Sequence, residues 1–351
     1  MNFIVVGAGA VGCYVGGRLA AAGERVSLVG RLRTIEPIAQ EGLKVTDLDG
    51  FSAQVSEDKL HLATNLVAAW DQIKNKSTDA LGSDPIIILL CVKGGATKAA
   101  AIEIAASYPS GTLVVSLQNG VDNVMRIKQA APEMQALAGM VPYNVVMKTP
   151  SHVHRATTGR LQLAQSTVQV NGLSLADEIS KRFNAAGLSM RVTADMRAVQ
   201  WGKLLLNLNN PINALSNLPL REQLLNRDFR KVLAALQLEA LAAMTQEGIE
   251  PVQLAAAKPR VLPRVLKLPN WIFTRFASRM LRMDASARSS MWDDVQHSRT
   301  TEIDDMCGAV VRLAAQHHTA APCNAALCAL MAKHTKEQHW TGKALLKALK
   351  I

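Results

Sequence analysis

The segment Gly7-Ala8-Gly9-Ala10-Val11-Gly12 constrains the fold more than any other, because it joins a short apolar run to a helical pattern. Asn2 to Val6 has the length of a buried strand, and Val15, Leu19 and Ala22 then recur at helical spacing. Gly23 closes the helix and Arg25 to Val29 reads as a second strand, so the chain opens with a βαβ unit. In such a unit Gly7 permits the tight turn, Gly9 lets a pyrophosphate approach the backbone, and Gly12 lets helix and strand pack closely. The pyrophosphate then sits on the helix N-terminus, where free N–H groups and the helix dipole favour negative charge. Gly7, Ala8, Gly9, Ala10, Val11 and Gly12 are therefore assigned to a dinucleotide, against the plainer alternative of a glycine turn with no ligand.

The end of the second strand selects the dinucleotide. An NAD-binding chain places Asp or Glu there for the ribose 2′-hydroxyl, whereas this one reads Val29-Gly30-Arg31-Leu32-Arg33. A guanidinium at Arg31 suits a 2′-phosphate, so NADPH is expected; Arg33 either assists or faces water. Further on, Pro85 to Val92 is a continuous apolar run, as a strand buried on both faces should be, and Lys93 stands at its end. Ligands of open α/β sheets lie outside the carboxyl ends of strands, which directs Lys93 to the cofactor cleft; the alternative is a lysine marking the exit to solvent. Thr112 to Leu117 repeats the arrangement with Gln118-Asn119-Gly120 at its end, making Asn119 a candidate for the nicotinamide and substrate region. Leu137 to Val146 and Leu161 to Val170 read as later strands, the second alternating like an antiparallel edge.

After about Asp195 the strand-and-glycine alternation gives way to long helical patterns rich in Ala, Leu and Met. The expected architecture is α/β: an N-terminal doubly wound Rossmann-type domain over 1–194, then an all-helical substrate-binding and catalytic domain over 195–351. Within the second, Lys203 and Asn207 are four apart and share a helix face, and Asn210, seven from Lys203, falls on that face too. A lysine with two amides among leucines makes a poor core and a plausible pocket wall. Pro211 should kink or end the helix. Ser290 and Glu302, twelve apart, fall on one side if a single helix joins them; they are either functional or part of a solvated polar face.

At 351 residues and 49% apolar the chain can bury two cores. Cys13, Cys91, Cys307, Cys323 and Cys328 are odd in number with no CxxC spacing, which speaks against a disulfide framework or zinc site and for a reducing compartment. No apolar run of membrane-spanning length and no signal peptide is visible, so a soluble cytoplasmic protein is expected. His152 with His154, and His317 with His318, lack a carboxylate at ligand spacing and read as surface or structural residues; no metal is expected. The formal net charge of +11 admits nucleic acid or an acidic membrane surface, but no recognised motif supports either, and neither is expected as a partner. Basic residues are densest from Lys258 to Arg282, interleaved with Leu262, Leu266, Trp271, Ile272 and Phe276 as in an amphipathic helix packed on a core.

Together these segments resemble the ketopantoate reductase (2-dehydropantoate 2-reductase) family along nearly the whole chain. The residues that carry the resemblance are the glycine segment, Arg31, Lys93, Gln118-Asn119-Gly120, Lys203-Leu204-Leu205-Leu206-Asn207, Ser289-Ser290-Met291, Thr301-Glu302-Ile303-Asp304 with Gly308, and Pro322 with Asn324. The resemblance implies a Rossmann domain followed by a helical one, with NADPH and ketopantoate bound between them, and reduction to (R)-pantoate on the route to pantothenate and coenzyme A. It makes Lys203 the general acid at the ketone oxygen and gives Glu302 the task of orienting Lys203 and touching the cofactor's ribose side. Asn119 would bridge nicotinamide and substrate, Asn207 and Ser290 would bond the substrate's carboxylate or hydroxyl, and Arg31 and Lys93 would hold the adenosine phosphate end. Family members are often monomers or dimers.

This chain departs from the family on the substrate side. Where the family places a second substrate asparagine, position 211 is proline and the nearest asparagine is Asn210. The chain reads Leu218-Pro219-Leu220 where the family tends to carry a polar residue for the substrate hydroxyl, and Pro251 to Ala285 is longer than the usual connection. A reductase of another branched or aromatic 2-oxoacid therefore stands beside ketopantoate reduction. An NADPH-sensing protein without turnover is a third reading, one with no need of Lys203 and Glu302.

Overall fold

The computed structural model describes residues 1–76, 84–170, 172–277 and 287–351. The chain divides into two compact units, Met1–Met196 and Arg197–Ile351. The first unit begins β1 (Asn2–Val6), α1 (Ala10–Ala21), β2 (Arg25–Val29), α2 (Leu32–Glu41), β3 (Leu43–Asp47), β4 (Ser52–Val55), β5 (Leu60–Ala63), α3 (Leu66–Lys76) and β6 (Ile86–Leu90). It continues with α4 (Thr97–Ser107), β7 (Leu113–Ser116), α5 (Asn123–Ala130), β8 (Gln135–Met140), β9 (Val145–Thr149), β10 (His152–Arg155) and β11 (Leu161–Ala164). A short hairpin of β12 (Gln169–Val170) and β13 (Leu173–Ser174), then α6 (Leu175–Ala185) and β14 (Met190–Thr193), completes it.

Eight strands form one sheet in the order β14-β11-β8-β7-β6-β1-β2-β5. From β5 to β8 every neighbouring pair is parallel, and the order of these six strands is that of a doubly wound dinucleotide-binding sheet. Side chains alternate across β1. Phe3 and Val5 join Leu19 of α1 and Phe183 of α6 in one core, whereas Ile4 and Val6 join Leu66, Ile104 and Ile127 of α3, α4 and α5 in another. Burying each such side chain stabilises the fold by about 1.5–3 kcal/mol, and two covered faces explain the uninterrupted apolar runs of the central strands.

Two strand expectations need correction. The run Leu137 to Val146 is two strands: β8 stops at Met140, short of Pro142, and β9 joins a separate sheet of order β4-β3-β10-β9. The run Leu161 to Val170 also breaks, into β11 and β12, and β11 is interior rather than an edge. It pairs antiparallel with β8 and parallel with β14, and its polar Gln162 is buried as well, accepting from the Arg191 guanidinium.

The small sheet packs on α1, the helix that follows the glycine turn. A buried polar cluster joins them. Asp47 of β3 accepts from Arg18 at 2.8 Å and pairs with Arg155 at 3.1 Å; Arg155 donates to the Tyr14 hydroxyl at 2.9 Å, and Arg18 donates to the Ala186 carbonyl. Burial raises the Asp47 pKa, but hydrogen bonds from the Phe51 N–H and the Arg155 guanidinium outweigh it and hold the carboxyl below its usual range.

The second unit shows no strand among its described residues. It contains α7 (Met196–Asn207, whose first residue closes the first unit), α8 (Asn209–Ser216), α9 (Leu220–Leu225), α10 (Arg227–Gln246), α11 (Leu262–Leu266) and α12 (Asn270–Phe276). After α13 (Ser290–Gln296), a π-helical turn (Asp304–Gly308) leads into α14 (Ala309–Gln316), α15 (Pro322–Ala332) and α16 (Gly342–Ala348). The long α10 is central, packing against α11, α14, α15 and α16.

The basic stretch is not one amphipathic helix; it holds the short α11 and α12, and its last residues, 278–282, lie outside the described residues, as do 278–285 of the lengthened connection. Proline explains the interruption, since Pro269 separates the two helices. Arg230 of α10 anchors this region. Its buried guanidinium donates to the carbonyls of Leu224, Leu225, Leu266 and Leu268 and to Asn270 Oδ1, and stacks 4.0 Å from the Phe273 ring centre.

Candidate functional site

In the first unit, β1 ends at the glycine turn and its two sheet neighbours, β2 and β6, end on either side of it. Gly7 adopts φ +111°, and a Cβ there would lie 2.8 Å from the Val92 N beyond β6. A Cβ on Gly12 would lie 2.1 Å from the Gly7 carbonyl oxygen, and one on Gly30 would meet the Ala8 Cβ at 2.4 Å. Gly7 and Gly12 let backbone close on backbone, and Gly30 makes room for the Ala8 and Ile35 side chains. Gly9 is different: a Cβ there would meet nothing within 4 Å, so its lack of a side chain preserves space above the start of α1. No acidic residue occupies the first turn of that helix, and no side chain caps it. Free N–H groups facing open space fit a phosphate.

Arg31, at the N-terminal boundary of α2 just past β2, is exposed. Lys93 is exposed on extended backbone just past β6. Both cations thus flank the glycine turn, one on each side. Asn119, half-buried, follows β7, the strand beyond β6, and Gly120 turns the chain at φ +95°. The fold brings the glycine segment, Arg31, Lys93 and Asn119 to the carboxyl ends of neighbouring parallel strands.

Sequence reasoning passed over what holds Asn119. The Asn123 side chain donates to the Asn119 carbonyl at 2.6 Å, and the buried Gln118 amide donates to the Val92 carbonyl at 2.8 Å. The available signal was Asn123 four residues past Asn119 at the start of a helix, a position for amides that bond nearby backbone.

In the second unit, Lys203 lies near the end of α7. Its neighbour Gly202 admits the chain leaving α10: a Cβ there would lie 2.4 Å from the Val252 carbonyl oxygen, and Val252 N donates to the Ala198 carbonyl at 3.0 Å. Lys203 is half-buried between the buried Gly202 and Leu204. Burial lowers its pKa from 10.5 to about 8, and the negative charge of Glu302 works in the opposite direction. Lys203 and Glu302, ninety-nine positions apart, are therefore electrostatic partners.

Asn207 ends α7, and Asn210 lies on α8, so Asn210 does not share a continuous helix face with Lys203. The chain turns at Leu208, and Pro211 sits in the first turn of α8, where its missing N–H costs nothing. Asn210 Nδ2 approaches the Met306 sulfur at 3.9 Å, joining α8 to the π-helical turn that follows Glu302. On the other side Ser289 Oγ donates to the Asn210 carbonyl at 3.2 Å and accepts from Trp292 N, capping α13. The buried Asn213 accepts from Ser289 N at 2.9 Å and donates to the Leu218 carbonyl at 2.9 Å. Around α8 the fold thus assembles Asn210, the Ser289–Ser290 corner and the segment after Glu302. Ser290 itself is exposed.

Ser290 and Glu302 are not joined by one helix. Helix α13 stops at Gln296, Ser298 takes φ +51°, and helical structure resumes at Ile303. Two other motif residues have structural explanations. A Cβ on Gly308 would lie 2.3 Å from Asp304 Oδ1, so the glycine makes room for a carboxylate that Arg312 holds at 2.9 Å. The Asn324 side chain donates to Glu239 Oε2 at 2.7 Å, and the same carboxylate accepts from the Cys323 and Asn324 N–H groups, capping α15. His317 does have a carboxylate partner, Glu247 at 2.6 Å, seventy residues away in sequence. His152 and His154 share the Thr46 hydroxyl. Among the described residues no helix is long and apolar enough to cross a membrane.

Residues 3–167 match the family described as ketopantoate reductase PanE/ApbA, and residues 195–335 match its C-terminal counterpart. The chain is 28% identical to a 2-dehydropantoate 2-reductase of Pyrococcus horikoshii, over 94% of this chain and 96% of that protein. It is 26% identical to one of Vibrio cholerae, over 97% and 99%. A PanE/ApbA family ketopantoate reductase structure from Ralstonia eutropha superposes with TM-score 0.76 at 27% identity, covering 95% of this chain and 97% of that one. A D-mandelate dehydrogenase solved with NADH and anilino(oxo)acetate shares the fold, with TM-score 0.70 at 18% identity and full coverage of both chains.

Proposed function

Since the chain belongs to the ketopantoate reductase family, we propose that it reduces 2-dehydropantoate to (R)-pantoate with NADPH, the step that feeds pantothenate and coenzyme A synthesis. It is an oxidoreductase acting on CH–OH groups. The observation that carries the proposal is a half-buried lysine with a pKa of about 8 and a carboxylate partner. Lys203 is the general acid: it is mostly protonated at neutral pH yet acidic enough to release a proton to the ketone oxygen as negative charge grows there. Glu302 keeps that ammonium charged before the transfer and steadies its position. Asn207, Asn210 and Ser290 bind the substrate's carboxylate and hydroxyl, and Asn119 orients the carbonyl.

The first unit takes the dinucleotide: the start of α1 and its glycine turn hold the pyrophosphate, Arg31 pairs with the 2′-phosphate and Lys93 supports the phosphate end. When bound, the nicotinamide supplies the hydride that the carbonyl carbon receives. NADPH consumption followed by absorbance, across a panel of 2-oxoacids, tests the reading. Ketopantoate should lead the panel in kcat/KM, and its ranking far below another acid would remove it as substrate.

One observation favours a second reading, an aromatic or branched 2-oxoacid. Pro211 and the segment Leu218-Pro219-Leu220 remove polar groups from the corner around α8. The same panel decides between the two.

A further inference from the structure

Where β6 and β7 end, the Leu117 N–H donates to the Leu90 carbonyl. Beyond that point buried side chains link the two exits, with one hydroxyl at their centre. Thr97, the first residue of α4 and wholly buried, accepts from Gln118 Nε2 at 2.8 Å and donates to Asn123 Oδ1 at 3.0 Å. The same Gln118 amide donates to the Val92 carbonyl, immediately before Lys93, and its oxygen accepts from Ser116 Oγ at 3.0 Å. The other end of the Asn123 amide donates to the Asn119 carbonyl. A directed chain therefore runs from Gln118 through the Thr97 hydroxyl to Asn123 and on to the backbone of Asn119.

This chain needs an atom that accepts and donates at once, and a hydroxyl is the small side-chain group that does so. With Thr97 wholly buried, water cannot substitute for it. The donation to Asn123 Oδ1 fixes which end of that amide faces Asn119. The acceptance from Gln118 ties the same hydroxyl to the strand end that bears Lys93.

We propose that Thr97 is a positioning residue for the dinucleotide: its hydroxyl sets the spacing and orientation of the loops that carry Lys93 and Asn119. The proposal rests on the assignment of those two residues to the cofactor. Thr97 touches neither cofactor nor substrate in this account and acts through Gln118 and Asn123.

The test compares wild type, Thr97→Val and Thr97→Ser in the full chain. NADPH affinity is measured by titration well below each melting temperature, with kcat and KM for both substrates. Valine keeps the shape and removes both hydrogen bonds, whereas serine keeps both. The expected result is a loss of NADPH affinity of about tenfold in Thr97→Val, the scale of one lost positioned hydrogen bond, with Thr97→Ser within about threefold of wild type. A Thr97→Val protein that melts earlier but binds NADPH like wild type overturns the proposal, because a purely structural role moves only the melting point. Asn123→Asp gives an independent arm, keeping the oxygen that faces Thr97 and losing the donor to Asn119. It should weaken NADPH to a similar extent, and unchanged affinity there overturns the proposal even if Thr97→Val fails to fold. Wild type failing to bind NADPH would instead refute the cofactor reading itself.

Discussion

Replacing Lys203 by Met should cripple catalysis and stabilise the protein at the same time. A fall in pKa from 10.5 to about 8 corresponds to about 3 kcal/mol of charge-burial cost, at about 1.4 kcal/mol per pKa unit. The side chain keeps some contact with solvent and Glu302 loses its partner in the variant, so the expected gain is about 1–3 kcal/mol. For a protein of this size that raises the melting temperature by roughly 1–4 °C. The sign follows from proton binding. Below pH 8 Lys203 is charged in both folded and unfolded chains and the whole cost is present. Between pH 8 and 10.5 only the unfolded chain keeps the proton, so wild-type stability rises and the advantage of the variant fades. Differential scanning calorimetry of both proteins from pH 6 to 10 measures this. Steady-state reduction over the same range should show wild-type kcat falling above about pH 8 as the acid loses its proton, and Lys203→Met lower by roughly two to four orders of magnitude. A variant that is less stable than wild type at pH 7, or one that keeps its activity, would refute the reasoning.

Glu302→Gln removes the charge that raises the Lys203 pKa, so the alkaline limb of the kcat profile should move down by about one pH unit or more; an unmoved limb would separate the two residues. Gly9→Val and Gly12→Ala should fail differently. The first fills open space and should weaken nucleotide binding at least tenfold with little change in melting temperature, whereas the second meets the Gly7 carbonyl at 2.1 Å and should lower the melting temperature itself. Arg31→Glu should exchange the preference for NADPH over NADH, read as the ratio of kcat/KM values, because a carboxylate repels a 2′-phosphate and accepts from a 2′-hydroxyl. Asp47→Asn leaves Arg18 and Arg155 without their buried anion and should cost about 3 kcal/mol in urea denaturation at pH 7. That cost should vanish as pH falls through the lowered carboxyl pKa, where wild type loses the same charge.

Much of the first unit was legible because its signals are local. A strand, a glycine turn and a helix lie within twenty-one residues of the N-terminus, and the apolar runs of β6 and β7 announce strands covered on both faces. Their carboxyl ends, with Lys93 and Asn119, follow from the rule that places ligands there. The absence of an acid after β2 is likewise a property of neighbouring residues. Helical spacing put Lys203 and Asn207 on one face of α7, since four residues make one turn.

What tertiary structure decided is whatever depends on groups distant in the chain. No periodicity pairs Lys203 with Glu302, or shows that burial brings the amine to a pKa of about 8; that requires knowing which atoms crowd it and which charge lies near. The turn at Leu208 moved Asn210 onto a separate helix, and the break at Ser298 uncoupled Ser290 from Glu302, because a helix face extends only as far as its hydrogen bonds run. Thr97, Gln118 and Asn123 carry ordinary polar side chains that suit many surfaces. Their role comes from burial, where each hydrogen bond lacks a competing water and its direction becomes fixed. Spacing along the chain determines faces and turns; exclusion of water determines which polar groups must meet.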